Sequence, residues 1–269
     1  MSLVVGTVKP QAPSTSSADG SLEATVEATR ELIRKGNIVA ALQNLSTIGS
    51  RSPDDPESKF AVGEILQELA ALRAEQLQKV APESAAAHEL LGKSLESRGK
   101  LDAALTEYGR ALDKGPATPG LHFLIGNVNW KLRNFDAAQA ELGEELKVNP
   151  HHATANLRMG QIALTTQRDD PMRAVTFLQE AVAGAQSSLE AHRELGKALR
   201  LAHKFPEALR ELQYVASKAP NDDTIHAQLA VLYKETGDRE RARQEIETHA
   251  KILRERLQAS QKVHAERAP

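Results

Sequence analysis

Four histidines that recur along the chain are the residues whose possible chemistry can be tested first. His88, His122, His192 and His226 each precede a small residue by four positions. An imidazole can bind a metal ion or carry a proton in catalysis. However, packed helix axes lie about 8–10 Å apart, whereas a metal must come within about 2.1 Å of each histidine nitrogen. Equivalent histidines on neighbouring helices therefore do not converge on one ion, and we expect core-facing rings whose polar tips bond to water or backbone.

Paired carboxylates are the second candidate for chemistry, because two neighbouring acids can act as a general acid and base. The pairs Asp54–Asp55, Asp169–Asp170 and Asp222–Asp223 each lie beside a proline or the start of a helical segment. That placement favours helix capping. The chain also contains no cysteine, and no nucleotide-binding, serine-nucleophile or zinc-protease motif is found in it. We therefore expect no enzyme active site, no metal and no cofactor.

The elements that carry these residues are repeated. The stretches HELLGKSLESRGKLDAALTEYGRALDKGP (88–116) and HFLIGNVNWKLRNFDAAQAELGEELKVNP (122–150) have equal length and begin 34 residues apart. An alanine follows the small residue of this pattern by twelve positions in four units and by fourteen in the third, and a large residue comes four positions later. Such a fixed period predicts an array of stacked units. The small residue recurs at intervals of 34, 34, 36 and 34 residues, at Gly92, Gly126, Gly160, Gly196 and Ala230.

Each unit reads as two amphipathic helices joined by a short turn. His88, Leu91, Gly92 and Leu95 share one helical face, and Gly99 then interrupts the helix. A second apolar stripe follows, and a proline closes three of the five units because it cannot continue a helix. The small residues let the two helix backbones approach closely. One such hairpin cannot bury its apolar face alone, so we expect successive hairpins to stack.

These marks resemble the tetratricopeptide repeat (TPR) family, whose unit is a 34-residue pair of antiparallel helices. The resemblance implies an all-α fold, a right-handed α-solenoid of antiparallel helix hairpins. It also implies a concave groove lined by the first helices of the repeats, and a non-catalytic role as a protein–protein interaction scaffold that binds a peptide or protein segment there. The motif is specific for the fold and says little about the partner.

The sequence predicts four regions along the chain. Residues 1–20, rich in Pro, Ser, Thr and Gly, are expected to be a disordered tail. Residues 21–82 are expected to hold one degenerate repeat and a long helix. Five repeats are assigned to residues 85–250. Residues 251–269 are expected to extend the last helix as a charged cap and to end in a tail.

The candidate groove residues lie one position after, and three positions before or four after, each small residue. This stripe carries five cations and two anions, a net charge of +3, whereas the whole chain carries −2. Its centre is apolar or amide-bearing and includes the single tryptophan of the chain. The nine candidate residues are Lys93, Phe123, Asn127, Trp130, Gln161, Arg193, Lys197, Arg200 and Lys234.

The hypothesis for this stripe is an extended peptide bound along it. Asn127 and Gln161 would hold the peptide backbone, and Phe123 and Trp130 would pack on an apolar side chain. The cations, above all those between residues 193 and 200, would meet acidic side chains or a C-terminal carboxylate. The alternative is an ordinary solvated face in which the tryptophan covers a helix joint.

A second class of function stays open beside the groove. The chain could be a structural spacer or oligomerisation module of a larger, possibly catalytic, protein, with homo-oligomer contacts through its terminal helices. Nucleic-acid binding is not expected, because the basic residues gather in one unit without interleaved aromatics. No stretch approaches the ~20 apolar residues of a membrane-spanning helix. We expect a soluble protein, either cytoplasmic or, if a leader has been removed, periplasmic.

Overall fold

The computed structural model describes residues 16–51, 55–115, 120–167 and 169–266, and over these ranges the chain forms thirteen helices and no strand. It divides into two compact units, Met1–Glu83 and Ser84–Pro269. The expectation of an all-α fold is therefore confirmed for the described residues.

The first unit is a bundle of three helices, which are α1 (Ser16–Arg34), α2 (Ile38–Arg51) and α3 (Pro56–Val80). Its core includes Ile33, Ile48 and Ile65. Residues 1–20 were predicted to be a disordered tail, whereas helix α1 already begins at Ser16. Residues 1–15 lie outside the described residues.

The second unit holds ten helices arranged as five hairpins. We call the earlier helix of each hairpin its first helix and the later one its second helix. Each helix packs on the next one along the chain, and the first helices of the second to fifth hairpins also contact each other in a row. This is the architecture of an all-α solenoid. The helices are α4 (Ala85–Ser97), α5 (Leu101–Lys114), α6 (Leu121–Lys131), α7 (Phe135–Val148), α8 (Ala153–Thr166), α9 (Pro171–Gly184), α10 (Leu189–Leu201), α11 (Phe205–Lys218), α12 (Asp223–Glu235) and α13 (Arg239–Glu266).

Glycines at the centre of the first helices make the hairpins tight, as the sequence predicts. A Cβ atom built on Gly92 would lie 2.5 Å from the Tyr108 ring, and one on Gly126 would lie 2.7 Å from Leu142 Cγ. A Cβ built on Gly160 or Gly196 would lie 2.5 Å from the equivalent leucine of its own repeat. Because such distances are shorter than atoms tolerate, each glycine lets a large side chain of the second helix sit directly on the first.

Helix ends follow from capping residues and prolines. The Asp55, Asp170 and Asp222 side chains accept hydrogen bonds from backbone N–H groups in the first turns of α3, α9 and α12, which confirms capping as the role of these aspartates. Helices α7 and α11 end two residues before Pro150 and Pro220. Pro53 and Pro116, which the sequence assigns to helix ends, lie outside the described residues.

Candidate functional site

The recurrent histidines bond to glutamates and join the two helices of a repeat. His192 Nδ1 lies 2.6 Å from Glu211 Oε2, and its Nε2 lies 2.9 Å from the Gln186 carbonyl oxygen. His226 makes the same two contacts, with Glu245 and a loop carbonyl. The expected bond to the backbone is therefore found for these two rings, while the carboxylate partner was not predicted. The corresponding pairs of the first and second repeats are His88–Glu107 at 2.7 Å and His122–Glu141 at 2.8 Å.

A groove on the row of first helices is the strongest candidate site. It has a volume of about 350 Å³ and lies where α6, α8 and α10 meet the turn between α6 and α7. Its lining combines two aromatic rings, three cations and one carboxylate. The lining residues are Trp130, Lys131, Arg133, Phe135, Gln161, Thr165, Glu194 and Lys197.

Arg158 fixes the tryptophan that forms the apolar part of this groove. Its guanidinium carbon lies 3.8 Å from the centroid of the Trp130 ring, a close cation–π contact. The same guanidinium donates to Asn127 Oδ1 at 3.3 Å, to Gln161 Oε1 at 2.8 Å and to Glu190 Oε1 at 3.0 Å. A side chain held by this many partners cannot move freely, so the Trp130 ring keeps its position without a ligand.

The cations of the groove lining have fewer partners than Arg158. Lys197 lies 3.6 Å from Glu194 on its own helix. The Arg133 guanidinium carbon lies 5.2 Å from the centroid of the Phe135 ring. Lys131 pairs with Glu96 of the preceding repeat at 2.7 Å. With three cations and one carboxylate, the lining is positively charged in a chain whose net charge is −2.

Three of the nine residues predicted from the sequence line this groove, namely Trp130, Gln161 and Lys197. Asn127 lies beside it and shares the Arg158 network. Phe123 instead stacks on a histidine ring of the next repeat, with centroids 4.5 Å apart.

The remaining predicted cations also lie on first helices, and most of them bond within the chain. Arg193 pairs with Asp222, and Arg200 pairs with Glu235 at 2.6 Å. Lys93 pairs with Glu89 one turn earlier at 2.6 Å, and Lys234 is exposed in the last turn of α12. The nine predicted residues lie on first helices of the second unit, and three of them line a common groove.

The pair of Arg193 and Asp222 joins two repeats electrostatically. Partial burial opposes ionisation of Asp222, but the hydrogen bond from the Thr224 hydroxyl and the charge of Arg193 outweigh it. The pKa of Asp222 is therefore lowered from its ordinary value. Arg193 thus already has an anionic partner in the protein itself.

Six residues of the site were missed by the sequence prediction, namely Lys131, Arg133, Phe135, Arg158, Thr165 and Glu194. Lys131 ends α6, Arg133 lies in the turn after it and Phe135 begins α7, and the helical stripe included none of these positions. Arg158 lies two residues before Gly160, off the stripe. A signal was available for the histidine partners, because a glutamate directly precedes the large residue of the second helix in four of five repeats.

Family models match most of the second unit. A model described as "TPR repeat" matches residues 92–132. Two models described as "Tetratricopeptide repeat" match residues 123–170 and 199–265. The chain belongs to the tetratricopeptide repeat family. Its TPR repeats make this chain a protein–protein interaction scaffold.

Several solved structures have the same fold. YrrB, described as a TPR protein with an unusual peptide-binding site, is 20% identical over 72% of this chain and 98% of its own, with a TM-score of 0.60. MamA from Desulfovibrio magneticus RS-1 is 19% identical over 64% and 96%, with a TM-score of 0.59. PilF of Pseudomonas aeruginosa is 16% identical over 84% and 89%, with a TM-score of 0.53. At these identities the likeness concerns the fold.

Comparison with curated protein sequences found no match. Among the helices that the structure describes, none combines the length and the apolar character required to span a membrane.

Proposed function

We propose that the groove between α6, α8 and α10 binds an extended segment of a partner protein, and that this segment carries acidic residues and one apolar side chain. The observation that supports this proposal is the combination of a fixed aromatic surface with a cationic rim. Trp130 and Phe135 provide the apolar area, and Lys131, Arg133 and Lys197 provide the charge.

The apolar part of the groove is prepared for a ligand before binding. Arg158 covers one face of Trp130 and holds the ring in place. A ligand side chain therefore meets a surface that needs no ordering, which lowers the entropic cost of association. Large aromatic residues that are held in this way commonly carry much of the energy of an interface.

The charges favour an acidic ligand. A carboxylate of the ligand could replace the long contact of 3.6 Å between Lys197 and Glu194 by a shorter charge-assisted hydrogen bond. Gln161 lines the same groove, and a peptide backbone could bond to its amide beside the contacts that the amide already makes with Arg158 and Glu190. We propose Lys93, Phe123, Asn127, Arg193, Arg200 and Lys234 as the flanks of a longer site. A C-terminal carboxylate of the partner is one form of this acidic ligand.

The proposed role is non-catalytic. The groups that could carry acid–base chemistry have structural partners, since four histidines bond to glutamates between helices. The aspartates at the helix starts cap backbone N–H groups. Pairs and caps of this kind hold elements together without requiring a substrate.

Because the chain contains a single tryptophan, the emission of Trp130 reports directly on the groove. We expect a saturable change in emission with peptides that combine glutamates with one leucine, and none with peptides in which lysines replace the glutamates. Lys197→Glu should weaken binding at least about tenfold, since a lost charge-assisted hydrogen bond in a binding site costs about 1.5–3 kcal/mol.

The matched control is Lys147→Glu, which makes the same charge change on α7, outside the groove lining, where Lys147 pairs with Glu144 at 2.6 Å. It should leave the affinity unchanged. Absence of any saturable change with acidic peptides, or equal loss of affinity in the two variants, would contradict the proposal.

A further inference from the structure

The last helix of the array differs from every other second helix. Helices α5, α7, α9 and α11 each have 14 residues, whereas α13 has 28. An internal second helix ends where the chain turns back to form the next first helix. Helix α13 continues straight through that point, so the chain itself places no following first helix against it at that end of the repeat.

The exposure of Ile246 shows the effect of having no following first helix. Ile246 occupies the position of the large residue of the second helix, and 42% of its surface is exposed. The four internal residues at this position are each at most 1% exposed, because the next first helix covers them. The terminal helix of a solenoid normally has a polar outer face. The four internal equivalents are Tyr108, Leu142, Leu178 and Leu212.

The exposed apolar surface continues along α13 as a stripe. Ile246, Ala250, Leu253 and Leu257, here called the α13 stripe, are spaced by four, three and four residues. Leu253 is 43% and Leu257 60% exposed. This spacing averages close to the 3.5 residues that let two long helices pack side by side. At 1.5 Å per residue the α13 stripe is about 16 Å long.

The α13 stripe lies beside the face of α13 that packs on α12. Ala242 and Ile252 are buried against the rest of the fifth hairpin. His249 Nδ1 lies 2.8 Å from the Asp223 carbonyl oxygen, and Arg256 pairs with the Asp223 carboxylate at 2.5 Å. At 100° per residue, His249, Arg256 and Ile252 point roughly 70–130° away from the middle of the α13 stripe, whereas Ala242, four residues before Ile246, continues the stripe into the buried part of the fifth hairpin. The anchored face therefore holds α13 in place and leaves the stripe open.

We propose that the α13 stripe is a self-association surface, on which the α13 helix of a second copy of this chain packs antiparallel about a two-fold axis. In this arrangement Ala250 of one copy lies level with Leu253 of the other, and Ile246 lies level with Leu257. Each apolar residue thus meets an apolar residue. Such a contact between identical surfaces closes on itself as a dimer.

Charge complementarity supports this occupant and this orientation. On the edge of the stripe away from α12, Glu247 and Arg254 are the flanking charges. The two-fold axis places Glu247 of one copy within two residues, about 3 Å along the axis, of Arg254 of the other. Two such pairs form. Glu247 also pairs with Arg243 of its own helix at 3.0 Å.

A stripe of this length buries less surface than a standard stable interface. The dimer is therefore weak and reversible, and its fraction rises with chain concentration. Sedimentation equilibrium of the full chain over a wide concentration range should follow a monomer–dimer equilibrium with a monomer mass of 29.2 kDa.

Substitutions in the full chain test the surface. Leu253→Asp should abolish the dimer, because it places a charge in the middle of the apolar contact. The control is Met172→Asp, since Met172 on α9 is 42% exposed, close to Leu253, but lies outside the stripe. It should leave the dimer unchanged. Circular dichroism of both variants checks that their helix content is retained.

A charge swap tests the orientation and remains informative even if Leu253→Asp disturbs folding. Glu247→Arg and Arg254→Glu should each weaken the dimer about tenfold, and the double variant should restore it, because the pairs re-form with exchanged signs. A chain that is monomeric at all concentrations would overturn the proposal. A dimer that survives Leu253→Asp, or a double variant as weak as the single ones, would do so too.

Discussion

At the residue scale, the turn between the two helices of a repeat requires a left-handed backbone conformation in four of the five repeats. Gly99 and Gly237 occupy this turn in the first and fifth repeats with φ angles of 72° and 84°. Arg133 and His203 occupy it in the second and fourth with φ angles of 62° and 56°. The left-handed conformation costs a non-glycine residue about 1–2 kcal/mol. Glycine would adopt this conformation at a lower cost than arginine. Because Arg133 also lines the groove, we infer that its charge serves binding there.

Replacing this arginine should separate stability from binding. Arg133→Gly relieves the left-handed strain but loses the contact with the Phe135 ring, so we expect a net gain of about 1 kcal/mol in the free energy of unfolding. The same change removes one cation of the groove, so the affinity for an acidic peptide should fall several-fold. Urea unfolding and Trp130 emission measure the two effects in one variant.

His203→Gly is the matched control for this prediction. His203 occupies the same turn position and also contacts a phenylalanine ring, Phe205, with centroids 5.6 Å apart. It lies outside the groove lining. The control should be stabilised by a similar amount and should bind the peptide as before. A loss of affinity in both variants would show that the turn geometry matters and the Arg133 charge does not.

Sequence periodicity could find only the part of the site that lies on a helical stripe. Trp130, Gln161 and Lys197 were within reach because positions of equal phase on stacked helices face the same way. Arg133 was not, because the direction of a turn residue depends on backbone angles that the pattern does not encode. Arg158 was not, because its long side chain reaches sideways from α8 to Trp130 on α6.

At the element scale, each hairpin depends on the contact between a small and a large residue. Gly126 shows this most directly, since an added Cβ would lie 2.7 Å from Leu142 Cγ and 3.1 Å from the Leu142 backbone nitrogen. A side chain can rotate away, but a helix backbone cannot do so without moving the whole helix. In the fifth repeat, where Ile246 is exposed and has room to move, the small residue is Ala230. The spacing of small and large residues predicts this contact in every repeat. Ala230 can replace glycine in the fifth repeat because the Ile246 side chain has room to move.

Gly126→Ala should therefore destabilise the protein by about 1–3 kcal/mol, because it overpacks the α6–α7 contact. Gly143→Ala is the control in the same hairpin, since no described atom lies within 4 Å of a Cβ built there. In the interior of α7 that change should stabilise by about 0.5–1 kcal/mol. The midpoints of urea unfolding compare the two variants, and a destabilised Gly143→Ala would contradict the explanation.

The histidine–glutamate pairs are the second contact between the helices of a repeat. The side chains of His88 and Glu107 are 8% and 10% exposed, whereas those of His122 and Glu141 are 31% and 29% exposed. Burial makes the loss of a hydrogen-bond partner more costly. The sequence placed the histidines on the core side but did not identify their partners, because a contact between two helices depends on how they pack.

Removing the carboxylate should cost more in the buried pair. We expect Glu107→Ala to lower the free energy of unfolding by about 1–3 kcal/mol. Glu141→Ala should lower it by less than about 1 kcal/mol, because water can replace the partner of an exposed group. Thermal and urea unfolding of the two variants measure the difference. Equal losses of unfolding free energy in the two variants would show that the glutamates act through helix propensity or surface charge, and that burial of the histidine–glutamate pair does not matter.

At the scale of the second unit, polar contacts along the row of first helices join each repeat to its neighbour. Arg158 connects the second, third and fourth repeats through Asn127 and Glu190, and Arg193 connects the fourth and fifth through Asp222. In stacked repeats the stability of a terminal repeat depends on its single neighbour. Asp222 is thus placed to affect the last repeat more than the others.

The lowered pKa of Asp222 gives this contact a pH dependence of known sign. A carboxyl group whose pKa is lower in the folded state contributes stability above its unfolded pKa of about 3.9, and this contribution is lost as the pH falls through the folded value. Asp222→Asn removes the charge and keeps a good capping residue. Asp222→Ala also removes the cap, which costs about 1 kcal/mol more at any pH.

We therefore expect Asp222→Asn to be less stable than the wild type at pH 6, and this difference in urea midpoint to shrink as the pH falls below about 4. At pH 6, hydrogen exchange in the variant should be faster in α12 and α13 and unchanged in α6 to α9, because the lost contact concerns only the last interface of the array. Faster exchange across all five repeats would mean that the second unit unfolds as one cooperative body. A difference in midpoint that does not depend on pH would mean that the charge of Asp222 does not stabilise this interface.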